Sequence, residues 1–493
     1  MMTQGIFKRA ALPALITLAL AGCSLAPKYE RPTAPVPVQY PGQGAAQHSN
    51  TDSAKAANVS YSADLGWSEF FRDPQLKALI ALSLTNNRDM RIAVERIQEA
   101  RAQYGIVQSD RLPTLGIGGN AQITRNPPDL RTNGPDSPSV SRFYQAGVGM
   151  TSFELDFFGR VKNLSEAAYQ QYLATEQASR TVHINLVAQV AEAYFRLRTA
   201  QQLDILAEKT LQSRQNTYAL ANARFEAGVA SALDLSQAKS QLDSVRADRA
   251  SLQRAQLQAQ NALHLLLGTE IPADLPPAAV FGRDQVLAAI PVGLPSDLLE
   301  RRPDIMAAEN VLLSANANIG AARAAFFPNI SITGLLGFAS PQLGGLFSSG
   351  NRFWQFAPQI QIPIFSGGVM GNLDLAKARK NIAVSQYEKA IQTAFREVAD
   401  ALAGEETYGS QLDALRSLEA SASETLKLAT LRYETGIDSF LQVQNAEVDL
   451  YTAQQAFYQT GMDSLLNRVG LYKALGGGWL QDSVNESTRG QVK

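Results

Sequence analysis

The chain contains two copies of one unit, and this repetition is the feature that most limits its possible folds. Residues 224–268 align without gaps on residues 432–476, with 11 identities in 45 positions. A fixed internal offset indicates a duplicated structural unit rather than two unrelated domains. We therefore expect two similar halves, residues 66–270 and 296–476, joined by a linker at residues 271–295.

Each copy contains one helix of unusual length. Residues 161–227 include neither Gly nor Pro, and residues 369–435 include no Pro and only three Gly. Uninterrupted helices of that length would each be about 100 Å long. A Gly turn and a second helix follow in each copy, over residues 232–267 and 439–475, with apolar residues at heptad spacing. In the second copy two apolar seams run side by side, which favours a ring of helices; a two-chain coiled coil is the alternative.

Each copy also carries two stretches with the alternation of β-strands. Apolar residues alternate with small or polar ones over residues 115–124 and 353–365. The other two stretches are residues 143–157, where the phase is blurred near residue 151, and residues 330–338. Alternation over about 10 residues is typical of transmembrane barrel strands, although a half-buried soluble sheet gives the same pattern. Four strands cannot close a barrel, because bacterial barrels have at least about 8 strands and lipid does not tolerate open sheet edges. A membrane location therefore requires oligomerisation, and three copies would supply twelve strands.

The first 22 residues have the features of a secretory signal peptide. Two basic residues precede the apolar run Ala10–Ala21, which ends just before Cys23, the only Cys in the chain. This pattern resembles a bacterial lipobox, so we expect Cys23 to become the N-terminus and to carry N-palmitoyl and S-diacylglycerol groups; an ordinary signal peptide is the alternative. In the lipoproteins that it resembles, a following Ser, here Ser24, directs the protein to the outer membrane. Residues 23–65 are expected to be extended, without a core of their own.

Composition and motifs argue against several other functions. Lys plus Arg number 44 and Asp plus Glu number 45, so the basic excess of a nucleic-acid-binding protein is missing. One Cys and three scattered His favour no metal site. The chain has no phosphate-binding loop, no H-E-x-x-H and no G-x-S-x-G motif. We therefore predict no enzymatic activity, no metal, no cofactor apart from covalent lipid, and no nucleic-acid partner.

Five segments together resemble those of a known family. They are residues 67–74, 229–235, 294–305, 319–328 and 471–479. In these segments the chain is similar to the outer-membrane channels of tripartite efflux pumps, the TolC-like family, and especially to the OprM-type lipoproteins. The resemblance covers essentially the whole chain after the signal peptide.

The resemblance implies a fold that is mainly α with transmembrane β. Three copies would form a 12-stranded β-barrel, with four strands per chain, on a long α-helical barrel with a mixed α/β equatorial region. The linker would belong to that equatorial region, and the C-terminal tail, residues 477–493, would be equatorial or disordered.

The resemblance also implies a function and its partners. The protein would be the outer-membrane exit duct of an efflux pump in a Gram-negative bacterium, conducting drugs and toxic small molecules passively. Its partners would be a periplasmic membrane-fusion adaptor and an inner-membrane transporter of the resistance-nodulation-division type, which supplies the energy. A channel for type I protein secretion and a coiled-coil structural lipoprotein without a pore are the alternatives.

Gate residues follow from the same resemblance. The turns at Gly228 and Gly436 are expected to close the periplasmic end and to dock the adaptor. Asp234 and Tyr433 are expected to form an interhelical hydrogen bond, which a carboxylate acceptor would strengthen. Asp438 stands where relatives often have Arg, and unlike Arg it cannot donate hydrogen bonds.

Gln442 and Asn445 occupy positions that form an acidic constriction in some relatives. They lie about one helical turn apart and both are uncharged. We therefore expect a polar, uncharged ring at this level of the channel. Such a ring should weaken block of the channel by multivalent cations.

Overall fold

The computed structural model describes residues 24–41, 61–131, 134, 136–287, 290–293 and 295–482. The signal peptide, Cys23 and the end of the tail therefore lie outside the described residues. The chain divides into two compact units. The first comprises Arg96–Thr175, Ala307–Tyr387 and the N-terminal residues through Thr33; the second comprises Ala34–Glu95, Glu176–Met306 and Glu388–Lys493.

Among the described residues, the helices and strands follow the same order in both halves of the chain, except that the first half has one more helix before its strands. In the first half they are α1 (Trp67–Phe70), α2 (Pro74–Asn86), α3 (Arg88–Ser109), β1 (Leu115–Arg125), β2 (Val140–Glu154), α4 (Arg160–Glu226) and α5 (Ala232–Leu267). In the second half they are α6 (Leu298–Arg301), α7 (Pro303–Ala324), β3 (Asn329–Ser340), β4 (Arg352–Gln361), α8 (Gly367–Glu434) and α9 (Phe440–Ala474). The predicted bounds of the four long helices agree to within two residues. In the described residues, no helix is both long enough and apolar enough to cross a bilayer.

The glycines of the second long helix do not interrupt it, and one of them has a packing role. A Cβ atom at Gly404 of α8 would overlap the side chain of Asn467 on α9. The Asn467 amide instead reaches the helix backbone and donates to the carbonyl of Ala401 at 2.9 Å. Glycine thus permits a close approach of two helices, at the cost of some helix propensity.

The four strands form one antiparallel sheet in the order β1-β2-β3-β4. A bulge between Met150 and Phe153 shifts the register of β2, and Ser152 has a φ of 50°. This bulge explains why the alternation of apolar residues in β2 loses its phase near residue 151. The prediction that the last strand extends to Phe365 is wrong, since β4 ends at Gln361 opposite the first residue of β3. Pro363, just beyond, has no N–H group to continue the ladder.

The register gives the sheet two different faces. Ile117, Val148, Leu336 and Trp354 form one continuous row across all four strands, and their exposures are 88%, 47%, 70% and 74%. The neighbouring row on the opposite face consists of Gly118, Gly147, Gly337 and Phe353. Large apolar side chains therefore stand exposed on one face, whereas the other is lined mainly by small or uncharged residues.

In the second unit, the apolar seams between helices are interrupted by ion pairs. The predicted seam of α5 is buried at Leu242 and Val245, which pack on Leu211 of α4. Arg249 occupies a seam position that should be apolar. Its guanidinium contacts two carboxylates of α4, those of Asp204 and Glu208. Both seams predicted for α9 include buried residues, among them Val443, Ala446, Tyr451, Met462 and Val469.

The buried carboxylate of Asp73 forms hydrogen bonds with residues of two helices and of the linker. Asp73 is fully buried and caps α2, where it accepts two backbone N–H groups of the first turn. Its other oxygen accepts the Tyr194 hydroxyl at 2.6 Å, the backbone N–H of Ala279 and the Gln285 amide. Burial, and then the bond to Asp73, raise the pKa of Tyr194. These bonds join the linker to α2 and α4 because a buried carboxylate needs several donors.

Candidate functional site at the two helix turns

The two long helices end in the same kind of turn. At the end of α4, the Gly228 N–H donates to the Phe225 carbonyl and the Val229 N–H donates to the Arg224 carbonyl, both at 2.9 Å. This pair of bonds is a Schellman motif, which needs a left-handed residue at its centre. The φ of Gly228 is 73°, and that of Gly436, where the same bonds recur, is 76°. Glycine is favoured at both predicted tips because a side chain would strain this conformation.

The two turns differ in the partner of their equivalent arginines. Arg432 donates from Nε to the Asp438 carboxylate at 2.5 Å and from a terminal nitrogen at 3.3 Å. Asp438 aligns with Ala230 in the first copy, so Arg224, the counterpart of Arg432, has no acid at the equivalent position. Arg224 instead donates to the hydroxyl of Tyr433, and its guanidinium carbon lies 5.1 Å from the centroid of that ring. The turn of α4 is thereby tied to the turn of α8.

Asp438 therefore has an acceptor role at the second turn. The hydrogen bond from Arg432 lowers the pKa of the Asp438 carboxyl. The sequence showed only that Asp438 cannot donate. The sequence analysis missed the pair with Arg432, and the opposite charge six residues earlier is the signal that could have found it.

Within the chain, the structure does not bring Asp234 and Tyr433 together. The Asp234 carboxylate accepts the backbone N–H and the hydroxyl of Ser231, at 3.1 and 2.9 Å. The Ser231 oxygen in turn accepts the Asp234 N–H at 3.1 Å, which completes a capping box at the start of α5. The local cap satisfies Asp234, and Arg224 satisfies the Tyr433 hydroxyl.

The two predicted constriction residues lie on one exposed face of α9. Gln442 and Asn445 are both exposed and are three residues apart in the helix. Gln442 is the counterpart of Asp234, so the second copy lacks the carboxylate that completes the cap in the first. The N-cap of α9, Ser439, makes no side-chain cap bond.

A buried ion pair joins the two internal repeats of the chain, further along the helices. Arg214 of α4 donates to Glu447 of α9, and the side chains are only 3% and 11% exposed. Burial lowers the pKa of Arg214 and raises that of Glu447, so each charged form is disfavoured by desolvation. The sequence analysis missed this pair. Comparison of the two repeats offers a signal. Arg214 and Glu447 carry opposite charges, whereas their counterparts, Ala422 and Lys239, could not form an ion pair.

The arrangement is suited to holding helix ends together. An Arg–Tyr contact ties the two turns together, and an Arg–Asp ion pair lies within the second turn. In the part of the chain that the structure describes, no group of three or more His, Cys, Asp or Glu is placed to bind a metal ion. Long helices with such ends, and a sheet with one exposed apolar face, define a channel-forming protein of the outer membrane.

The chain belongs to the outer membrane efflux protein family, whose model matches residues 79–269 and 294–477. It is 45% identical over 481 residues to two proteins of Pseudomonas putida, the antibiotic efflux pump outer membrane protein ArpC and the toluene efflux pump outer membrane protein TtgC. Each match covers 97% of this chain and 98% of the relative. Among solved structures, it is similar to the open state of the Neisseria gonorrhoeae MtrE outer membrane channel, with a TM-score of 0.82 and 37% identity over 94% of this chain and 100% of that one.

These similarities confirm the fold class and the function predicted from the sequence. The chain has the fold of trimeric outer-membrane channels, mainly helical with four barrel strands and a two-fold repeat. It is the outer-membrane channel component of an efflux pump. The efflux interpretation is therefore favoured over protein secretion and over a structural lipoprotein without a pore.

Proposed function

We propose that three copies of this chain form the exit duct of a tripartite efflux pump, with the exposed apolar row of the sheet facing lipid. This row of Ile117, Val148, Leu336 and Trp354 is the observation that carries the proposal. Among the described residues of one chain, β1 and β4 are edge strands, each paired on one side only. Pairing β4 of one copy with β1 of the next closes twelve strands and leaves no edge in the membrane.

Cys23 is the lipid anchor in this proposal, carrying N-palmitoyl and S-diacylglycerol groups. The next residue, Ser24, donates to the Asn163 side chain at 2.7 Å, close to where the chain leaves β2 and begins α4. Downstream, Glu309 accepts the Tyr29 hydroxyl and both sides of the Arg31 guanidinium fork, at 2.8 to 2.9 Å. These bonds support an anchor at the periplasmic surface of the outer membrane, with the helices extending into the periplasm.

The partners follow from the same architecture. A periplasmic adaptor would dock at the turns of Gly228 and Gly436, and an inner-membrane transporter of the resistance-nodulation-division type would supply the energy. Opening would be an iris-like movement of the helix ends that releases contacts such as that between Arg224 and Tyr433. Asp234, Asp438, Gln442 and Asn445 remain predicted elements of the gate and its constriction. The chain itself performs no catalysis.

The substrates are inferred from the printed names of relatives. One relative is an antibiotic efflux pump protein and another a toluene efflux pump protein. We extend this range to the present chain as drugs, organic solvents and other toxic small molecules. Deletion of the gene should then sensitise cells to drugs or solvents, whereas the loss of a secreted protein with unchanged susceptibility would support a secretion channel instead.

Two adjacent leucines of β3 provide the direct test of the membrane assignment. Leu336 belongs to the exposed apolar row, and Leu335 lies on the other face of the same strand. An arginine facing lipid near the bilayer midplane costs about 2–4 kcal/mol, so Leu336→Arg should abolish trimers and conductance in planar bilayers. Leu335→Arg, the matched control, should keep trimers and alter only ion selectivity. Equal behaviour of the two variants, or a wild-type protein that stays monomeric and passes no ions, would refute the proposal.

A further inference from the structure

Three arginines lie at the loop ends of the strands, remote in sequence from the gate. Arg125 is the last residue of β1, Arg142 is the third residue of β2 and Arg352 is the first residue of β4. The opposite ends of these strands lead into the long helices. If the helices extend into the periplasm, as the proposed function holds, the loop ends lie at the external side of the membrane.

All three arginines lie on the lipid-facing side of the sheet. Arg142 is directly opposite Ile123, and Arg125 follows two residues later on β1, so both share the face of Ile117. Arg352 precedes Trp354 by two residues and shares its face. Phe338 lies directly opposite Arg352, in the next row on the same face as Leu336 and Trp354. Aromatic and arginine side chains thus flank the apolar row where a barrel meets the headgroups of a bilayer.

None of these guanidinium groups has a partner among the described residues. Arg125, Arg142 and Arg352 are all exposed, and none of them makes a side-chain hydrogen bond or ion pair there. Arg131, in the loop between β1 and β2, differs because its guanidinium donates to the carbonyls of Asn126 and Ser137. Its role is to fix that loop.

The charge balance of this region favours an external anion. The acidic residues of the strands and their loops are Asp129 and Asp136, both in the first loop, and Glu154 at the opposite end of β2, paired with Arg160. Arg125 and Arg142 occupy diagonal positions of adjacent strands, which places their backbones about 7–8 Å apart. Two like charges so close repel each other unless an anion lies between them.

We propose that Arg125, Arg142 and Arg352 form a binding site for the phosphate groups of a phosphorylated glycolipid of the lipopolysaccharide class in the outer leaflet. Guanidinium groups bind phosphate oxygens through paired, charge-assisted hydrogen bonds. The acyl chains of the same lipid would cover the apolar row beside them. The site would hold a shell of lipid around the barrel. It would take no part in conduction. This inference rests on the orientation given by the proposed function.

The test measures the glycolipid retained by purified trimers with Arg125→Gln, Arg142→Gln and Arg352→Gln combined. The probes are lipopolysaccharide, its dephosphorylated form and phosphatidylglycerol, each titrated in detergent at low and high salt. Wild type should prefer phosphorylated lipopolysaccharide, and the triple variant should bind it on the order of a hundredfold more weakly. A matched control removes three exposed arginines of the second unit, through Arg246→Gln, Arg254→Gln and Arg416→Gln, and should bind like wild type.

Three outcomes would overturn the inference. The first is equal glycolipid retention by the triple variant and wild type. The second is equal binding of the phosphorylated and dephosphorylated lipids. The third is dissociation of the trimer by the triple substitution, which would assign the arginines to contacts between copies. Conductance in planar bilayers is recorded on the same preparations, so a failure of the channel proposal would appear separately, as a wild-type protein without conductance.

Discussion

The buried ion pair between Arg214 and Glu447 permits a quantitative test of how the two halves of the chain are held together. Removing one partner of a buried pair leaves an uncompensated charge and costs about 3–5 kcal/mol. The side chains here are 3% and 11% exposed, so solvent can relieve little of that penalty. We expect Glu447→Gln to destabilise the protein by this amount. That corresponds to a factor of roughly 10² to more than 10³ in the equilibrium between the packed and separated helices.

The double variant Arg214→Met/Glu447→Leu distinguishes the cost of leaving one buried charge unpaired from the effect of removing both charges. Desolvation disfavours both charged forms, so an apolar replacement of similar volume should restore stability to within about 1 kcal/mol or exceed it. The assay is thermal unfolding of detergent-solubilised trimers, combined with single-channel conductance.

We expect Glu447→Gln to lower the unfolding temperature and to raise the open probability, because Arg214 and Glu447 link α4 to α9 not far from the turns. The matched control is Asp243→Asn, which breaks an exposed pair with Arg246 and should cost at most about 1 kcal/mol. A Glu447→Gln variant as stable as Asp243→Asn, or a double variant less stable than Glu447→Gln, would refute the reasoning.

Three further predictions concern the channel and its helices. Gln442→Asp should introduce a ring of carboxylates and strengthen block by multivalent cations in conductance recordings; equal block in wild type would contradict the uncharged constriction. Gly436→Val should lower the unfolding temperature, since a φ of 76° costs a side chain about 1–2 kcal/mol, whereas Gly436→Asn should be nearly neutral; equal effects would remove the argument from backbone strain. Burial lowers the pKa of His183, so its stabilising contribution is present above about pH 6.5 and is lost as pH falls through the lowered pKa. The unfolding temperature of His183→Gln should therefore fall less than that of wild type on acidification, and an unchanged pH profile would show that His183 does not contribute.

Local sequence patterns predicted much of the fold. The run without Gly or Pro at 161–227 and the Gly turn after it determine a long helix and its end, because propensity and capping act within a few residues. The alternation in the strands likewise determined which residues share a face. The motif from Trp67 to Pro74 indicated the family but not its physical role. The structure shows that this segment supplies the buried Phe70 and Phe71, of which Phe70 stacks on Tyr472 at 4.0 Å, and the buried Asp73.

The tertiary structure decided which polar groups meet. Arg224 and Arg432 are equivalent in the repeat, yet one contacts Tyr433 across the turns and the other Asp438 in its own turn. An ion pair such as that of Arg214 with Glu447 joins residues 233 positions apart. Periodicity carries no information about such distant pairs, because each depends on the packing of helices that the sequence predicts only one at a time. The sequence thus determined the elements of the channel, and packing determined the contacts that join them.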